Sequence, residues 1–244
     1  MIFYHFGRYV LLLKMALKKP QKFRIYWDEL LKEMVIIGVG SLGIIALISV
    51  FIGAVTAVQT AYHLKIGYIP KYMIGTFTRN STIMELSPTV SSLILAGTVG
   101  SSVASQIGTM RVTEQIDALE IMGVNTPGYL VLPKIIAGVI TIPMLVIIAA
   151  VLSITGGMVA CSLSGLVSTY DFILGVKSSF DTFLITIFLI KSAVFAFIIT
   201  SVSSYQGFYA SGGAREVGFA STKAVIYSCI LIVCADYIIA QVLL

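Results

Sequence analysis

Gly108–Gly123 reads GTMRVTEQIDALEIMG. It carries Arg111, Glu114, Asp117 and Glu120, in a chain that is 58% hydrophobic and only 11% charged. With residues 109–122 placed on a helix, Val112, Ile116 and Leu119 fall on one face at spacings of four and three, and the charges take the other faces. Gly108 and Gly123 flank the stretch and Pro127 follows it, so the element is short and well delimited. It is too polar to cross a bilayer, yet apolar runs longer than the ~18 residues of a membrane span stand on both sides. Two readings fit these residues: a solvated loop helix, or a coupling helix that docks on a soluble partner and passes its motion to the flanking spans.

Working outward, the mean hydropathy of the 244 residues is +1.00. Soluble domains are about half apolar and about a quarter charged, so this chain has too few charges to cover a water-facing surface. The pattern predicts an all-α integral membrane protein with five spans, at about 34–60, 81–105, 129–163, 183–208 and 216–244. Residues 34–244 then form one transmembrane domain, and residues 1–33 read as amphipathic interfacial helices interrupted at Pro20. A short outer helix is expected within 164–182. No internal repeat is visible, which gives an inverted-repeat secondary transporter little support.

The basic residues are unevenly placed. Arg8, Lys14, Lys18, Lys19, Lys22, Arg24 and Lys32 all precede residue 33. A nucleic-acid arm is one meaning of such a run. Interleaved Phe3, Tyr4, Phe6, Tyr9, Phe23, Tyr26 and Trp27 favour a segment lying on anionic headgroups instead, so no nucleic-acid partner is expected. The opening has no short apolar core with a small-residue cleavage site, unlike a secretory signal. With the N-terminus in the cytoplasm, Arg111, Arg215, Lys134 and Lys223 join these on the same side. Only Lys65, Lys71, Arg79 and Lys177 fall in the outer loops, and Lys191 lies within a span. This asymmetry predicts a multi-pass protein with a cytoplasmic N-terminus and a C-terminus on the outer side.

Chemistry-bearing motifs are few. Cys161, Cys229 and Cys234 lie in apolar runs without metal-ligand spacing, and His5 and His63 are isolated, so no metal site and no catalytic relay is expected. GFYASGGA has the first glycine spacing of a phosphate loop but lacks its Lys-Ser/Thr. The chain therefore reads as no enzyme, with no cofactor and no ATPase site of its own. Ionisable residues inside spans suggest function by default. Glu85 and Lys191 lie at similar depth by helix rise, so they are expected to pair, either as a packing device or lining a cavity. Asp236 in the fifth span is a third candidate. In span two, Gly97, Ser101 and Ser105 form one small-residue stripe and Gly100, Ala104 and Gly108 a second. These suit close helix packing within the chain, or else a dimer seam or a cavity wall.

GSSVASQIGTMRVTEQIDALEIMGV, with ELSPTVSSLILAG before it and YLVLPKIIAGVI after it, resembles the signature of MlaE/YrbE permeases. FIGAVTAVQ, LIKSAVFAFIIT, GGAREVGFASTKAVIYS and ADYIIA extend the likeness in order over nearly the whole chain. The resemblance implies the membrane subunit of an ABC transporter moving phospholipids or related lipids between the inner and outer membranes of a Gram-negative envelope. It also implies a homodimer in the inner membrane, bound to two copies of an ABC ATPase in the cytoplasm. A ring of MCE-domain proteins is implied on the periplasmic side, with a STAS-domain protein often accompanying the ATPase. The family's coupling-helix Thr-Glu-Gln falls on Thr113, Glu114 and Gln115, its motif glutamate on Glu85 and its intramembrane lysine on Lys191. Two positions depart: Thr98 stands where many members have arginine, and Gln106 where they have an acid. With this resemblance, Arg111, Thr113, Glu114, Gln115, Asp117 and Glu120 are the expected ATPase contacts, and Glu85, Thr98, Lys191 and Asp236 the expected lipid contacts. A passive scaffold and an autonomous lipid or ion transporter are the rival readings.

Overall fold

Long runs of Ile, Leu, Val, Ala and Gly without solvent-facing periodicity satisfy their backbone groups most simply as helices, the structure that needs no outside hydrogen-bond partner in lipid. A computed structural model describes residues 2–17, 23–64 and 70–243. Lys18, Lys19, Pro20, Lys22 and Lys65 fall outside them. Among the described residues the chain is all-α, without strands, and five helices are long and apolar enough to cross a membrane.

The helices are α1 (Ile2–Leu17), α2 (Phe23–Leu64), α3 (Met73–Val112), α4 (Gln115–Ile121), α5 (Pro127–Leu163), α6 (Thr169–Lys177), α7 (Phe183–Phe208) and α8 (Ala214–Leu243). Two differences from the sequence reading concern where helices begin. Residues 23–33 are not a separate interfacial helix but the first turns of α2, because WDELLKEM holds no breaker and good helix formers carry the winding into the apolar run. At 42 residues α2 is about 60 Å long, roughly twice the hydrocarbon thickness, so its charged start reaches beyond the apolar zone. The second span begins at Met73, ahead of Ser81.

α3 is wound unevenly. Thr82–Val90 and Ala96–Gly100 are π-helical, and Pro88, which has no N–H to give, lies inside the first of these stretches. α6 starts at Ser168, whose Oγ accepts from the Asp171 N–H (3.1 Å) and donates to the Asp171 carboxylate (2.8 Å), a local cap.

Glycine sets the closest helix crossings. A Cβ on Gly53 of α2 would lie 1.7 Å from the Ser153 carbonyl oxygen of α5, and one on Gly156 would lie 2.4 Å from that of Val50. The two backbones touch directly, as small-residue contacts in membranes do. α3 and α6 meet the same way at Gly75 and Gly175. The two small-residue stripes of α3 separate. Ala104 abuts Gly207 of α7 and Gly108 faces Val217 of α8, so the second stripe packs within the chain. A Cβ on Gly97, in the first stripe, would meet nothing within 4 Å.

α1 lies across the end of the bundle that carries residues 113–126. Leu12 and Ala16 are buried, Tyr9 donates to Ser201 Oγ (2.8 Å), and the Arg8 guanidinium stacks on the Tyr209 ring at 3.7 Å. Burial pushes the Tyr9 phenol above its ordinary pKa, outweighing the opposite pull of its Ser201 hydrogen bond, so it stays protonated and donating at neutral pH. The His5 Nδ1 is 3.0 Å from the Tyr205 hydroxyl.

Candidate functional site

The charged stretch is not one helix over 109–122. α3 ends at Val112, Thr113 leaves helical geometry, and Glu114 adopts φ +59°, the left-handed region that side chains normally avoid. The chain turns there and α4 starts at Gln115. At the bend the Thr113 hydroxyl donates back to the Thr109 carbonyl (2.8 Å), and Arg111 reaches across to Asp117 at 2.7 Å. Gly123, at φ +77°, closes α4 with a paired cap, its N–H on the Glu120 carbonyl and the Val124 N–H on that of Leu119.

This elbow sorts the expected ATPase contacts. Arg111 and Asp117 bind each other, and Glu120 accepts from the Thr126 hydroxyl at 2.9 Å. Thr113, Glu114 and Gln115 are exposed at the apex, and Ile121 (87% exposed) and Met122 (69%) at the other end of α4. Ile116 is fully buried and Leu119 packs on the core, so the apolar face anchors the elbow to the bundle and leaves a mixed polar and apolar tip.

Within the spans, Glu85, Lys191 and Asp236 come together. Lys191 Nζ is fully buried. It donates to Glu85 Oε1 (2.7 Å) and the Met84 carbonyl (3.2 Å), and Asp236 Oδ1 stands 2.7 Å away. Thr89 donates to the other Asp236 oxygen at 3.1 Å. Two carboxylates against one ammonium leave a formal charge of −1. The cluster is not closed, because the Glu85 side chain is 47% exposed on the bundle face. Glu85 belongs to the π-helical Thr82–Val90, and such stretches recur at functional sites. Thr98 is not part of this group. It lies about 20 Å further along α3 by helix rise, in the wall of a cavity between α2 and α3.

Two clusters escaped the sequence reading. The first is Lys134, which pairs with Glu33 and donates to Gln106 Oε1 at 2.7 Å, with both charged side chains below one-tenth exposed. The sequence places Lys134 at a span edge, and its position within an apolar run is the signal that marks it. The second is Arg79, 2% exposed, whose guanidinium donates to the carbonyls of Val176, Ser178 and Ser179 at the end of α6. It caps that helix end, where positive charge is favoured. No sequence signal pointed from Arg79 to residues a hundred positions away.

Five apolar helices, with a buried ion cluster among them and an exposed polar elbow between the second and third, define a multi-pass membrane protein. Comparison with known proteins gives the particular family. The family model described as Permease MlaE matches residues 30–242, and the chain belongs to that family. It is 38% identical to a probable ABC transporter permease protein of Rickettsia bellii, covering 89% of this chain and 83% of that one. A counterpart in Rickettsia typhi is 36% identical over 97% of this chain and 91% of its own length. The chloroplastic protein trigalactosyldiacylglycerol 1 of Arabidopsis thaliana is 31% identical over 90% of this chain and 63% of its own. The chain is thus an ABC transporter permease, and its class is driven by an ATPase carried on a separate subunit.

Proposed function

We infer that this permease moves phospholipids or related lipids between the inner and outer membranes. The observation that carries the reading is the Glu85–Lys191–Asp236 cluster: ion-paired, set among apolar helices, and open on one side through Glu85. Acyl chains need only apolar walls, and burial stabilises them by about 0.8 kcal/mol per methylene. Selectivity must then come from the few fixed charges that can meet a headgroup. A relative named for a galactolipid is in keeping with a lipid cargo.

The working unit is a homodimer in the inner membrane, each N-terminus cytoplasmic and each C-terminus periplasmic, as the basic-residue asymmetry favours. Two ATPase subunits grip the elbows through Thr113, Glu114 and Gln115, with Arg111, Asp117 and Glu120 holding the elbow in shape. An MCE-domain protein receives or delivers lipid on the periplasmic side, and a STAS-domain protein accompanies the ATPase. Closure of the ATPase pair pushes the elbow, shifts α3 and α5, and squeezes the lipid space at Glu85, Lys191 and Asp236.

Lipid transfer between vesicles, measured for the reconstituted complex with and without ATP, tests this reading. ATP-dependent transfer is expected, and transfer indifferent to ATP would make the chain a scaffold. Glu114→Lys is expected to lower recovery of the ATPase with the permease, and normal recovery would remove the elbow as the grip. For the topology, Tyr170→Cys on α6 is expected to react with an impermeant thiol reagent added from outside; labelling only after lysis would invert it.

A further inference from the structure

α1 has two opposite faces. On one, Tyr9, Leu12 and Ala16 meet the bundle, with Leu12 and Ala16 buried. On the other, Tyr4, Phe6, Leu11 and Leu17 are each more than half exposed, and Lys14 is exposed among them. A helix whose outer face met only water would carry polar side chains there. The charge is as one-sided as the apolar surface. Residues 1–27 hold six cations, Arg8, Lys14, Lys18, Lys19, Lys22 and Arg24, and no acid. Exposed apolar side chains with unopposed positive charge suit an anionic bilayer surface, where the first sink below the headgroups and the second meet phosphate. A nucleic acid would answer the charge and leave Phe6, Leu11 and Leu17 in water.

α1 is also tied to the elbow. The Asn125 side-chain amide donates to the Met15 carbonyl at 3.0 Å. A Cβ on Gly128, at the start of α5, would lie 3.1 Å from the Ala16 carbonyl oxygen, so the two backbones run in near contact. Between these residues, Thr126 donates to Glu120 of α4 at 2.9 Å. A short path thus leads from the last turn of α1 to the segment leaving the elbow, and from there to α4. Further back, α1 holds α7 through Tyr9 on Ser201 and Arg8 on Tyr209. A swing of α4 about its exit either breaks these contacts or takes α1 along.

We propose that α1 is a strap by which an anionic membrane surface restrains the elbow. The surface holds α1, α1 holds residues 125–128, and the elbow moves less freely as the surface becomes more negative. This rests on the reading that the ATPase grips the elbow, and adds a brake to it. Such coupling is reciprocal, so movement of the elbow loosens α1 from the surface.

The test uses the permease–ATPase complex in vesicles of phosphatidylcholine, with and without phosphatidylglycerol. ATP hydrolysis is expected to be about fivefold slower with phosphatidylglycerol, the effect of roughly one basic side chain at an anionic surface. Lys14→Glu is expected to shrink that difference while leaving the rate in phosphatidylcholine unchanged. Asn125→Ala is expected to restore the faster rate in phosphatidylglycerol without taking α1 off the surface. The position of α1 is read separately on the permease alone, from quenching of Phe6→Trp, in a Trp27→Phe chain, by lipids with brominated acyl chains. Phe6→Trp left unquenched would overturn the membrane as the partner of this face. A full-sized response to phosphatidylglycerol in both Lys14→Glu and Asn125→Ala would overturn the strap. Equal rates in the two vesicles, with the ATPase bound and Glu114→Lys weakening it, would overturn the brake and leave the grip; equal rates with Glu114→Lys binding normally would overturn both.

Discussion

Lys191 and Lys134 are both buried lysines in apolar helices, and they are held differently. Lys134 has one carboxylate and one amide, and with Glu33 it is nearly sealed, the two side chains 7% and 6% exposed. Lys191 has two carboxylates, one of them half out of the bundle. A sealed one-to-one pair holds helices in place, and breaking it strands a charge. An open group with a surplus carboxylate has less to lose structurally and more to offer a visitor. Arg111–Asp117 on the elbow, 34% and 49% exposed, is the solvent-facing limit of the same series.

The series ranks the variants. Lys134→Met strands Glu33 and is expected to cost about 3–5 kcal/mol, read as loss of thermal stability in detergent. Lys191→Met leaves two carboxylates with partial access outward and is expected to cost less, about 1–3 kcal/mol. It should nevertheless remove lipid cross-linking in the cavity, which Lys134→Met, assayed below its melting point, should spare there. The reverse order of stability would break the comparison. Glu114→Gly relieves a left-handed residue and is expected to stabilise by up to about 1 kcal/mol, which thermal melting of the free permease would show. Asp117→Asn is expected to change stability by less than about 1 kcal/mol, as exposed pairs do, and to have less effect still at high salt.

The spans and the elbow's polarity were legible because they rest on composition and local order: apolar length marks a span, and a charged interlude marks water. The Glu85–Lys191 contact was legible through helix rise from two span ends. What failed to show were features set by the third dimension. The break at Glu114 interrupts a continuous helical pattern over 109–122, and the Arg111–Asp117 pair across it joins residues six apart, a spacing no helix face brings together. The separation of Thr98 from Glu85 follows from their distance along α3, which a shared expectation of lipid contact passed over. Arg79 binds backbone carbonyls, which carry no side-chain signal, and Glu33, the partner of Lys134, falls just outside the expected first span.

The glycine crossing of α2 and α5 has a mechanical corollary. A carbonyl seated against a bare Cα leaves no clearance for one rod to slide past the other, so these two must travel as a single plank. Because α5 starts just beyond the elbow, the coupling proposed above would carry a thrust delivered there across to α2. The slack has to be taken up elsewhere, in the loosely wound stretches of α3.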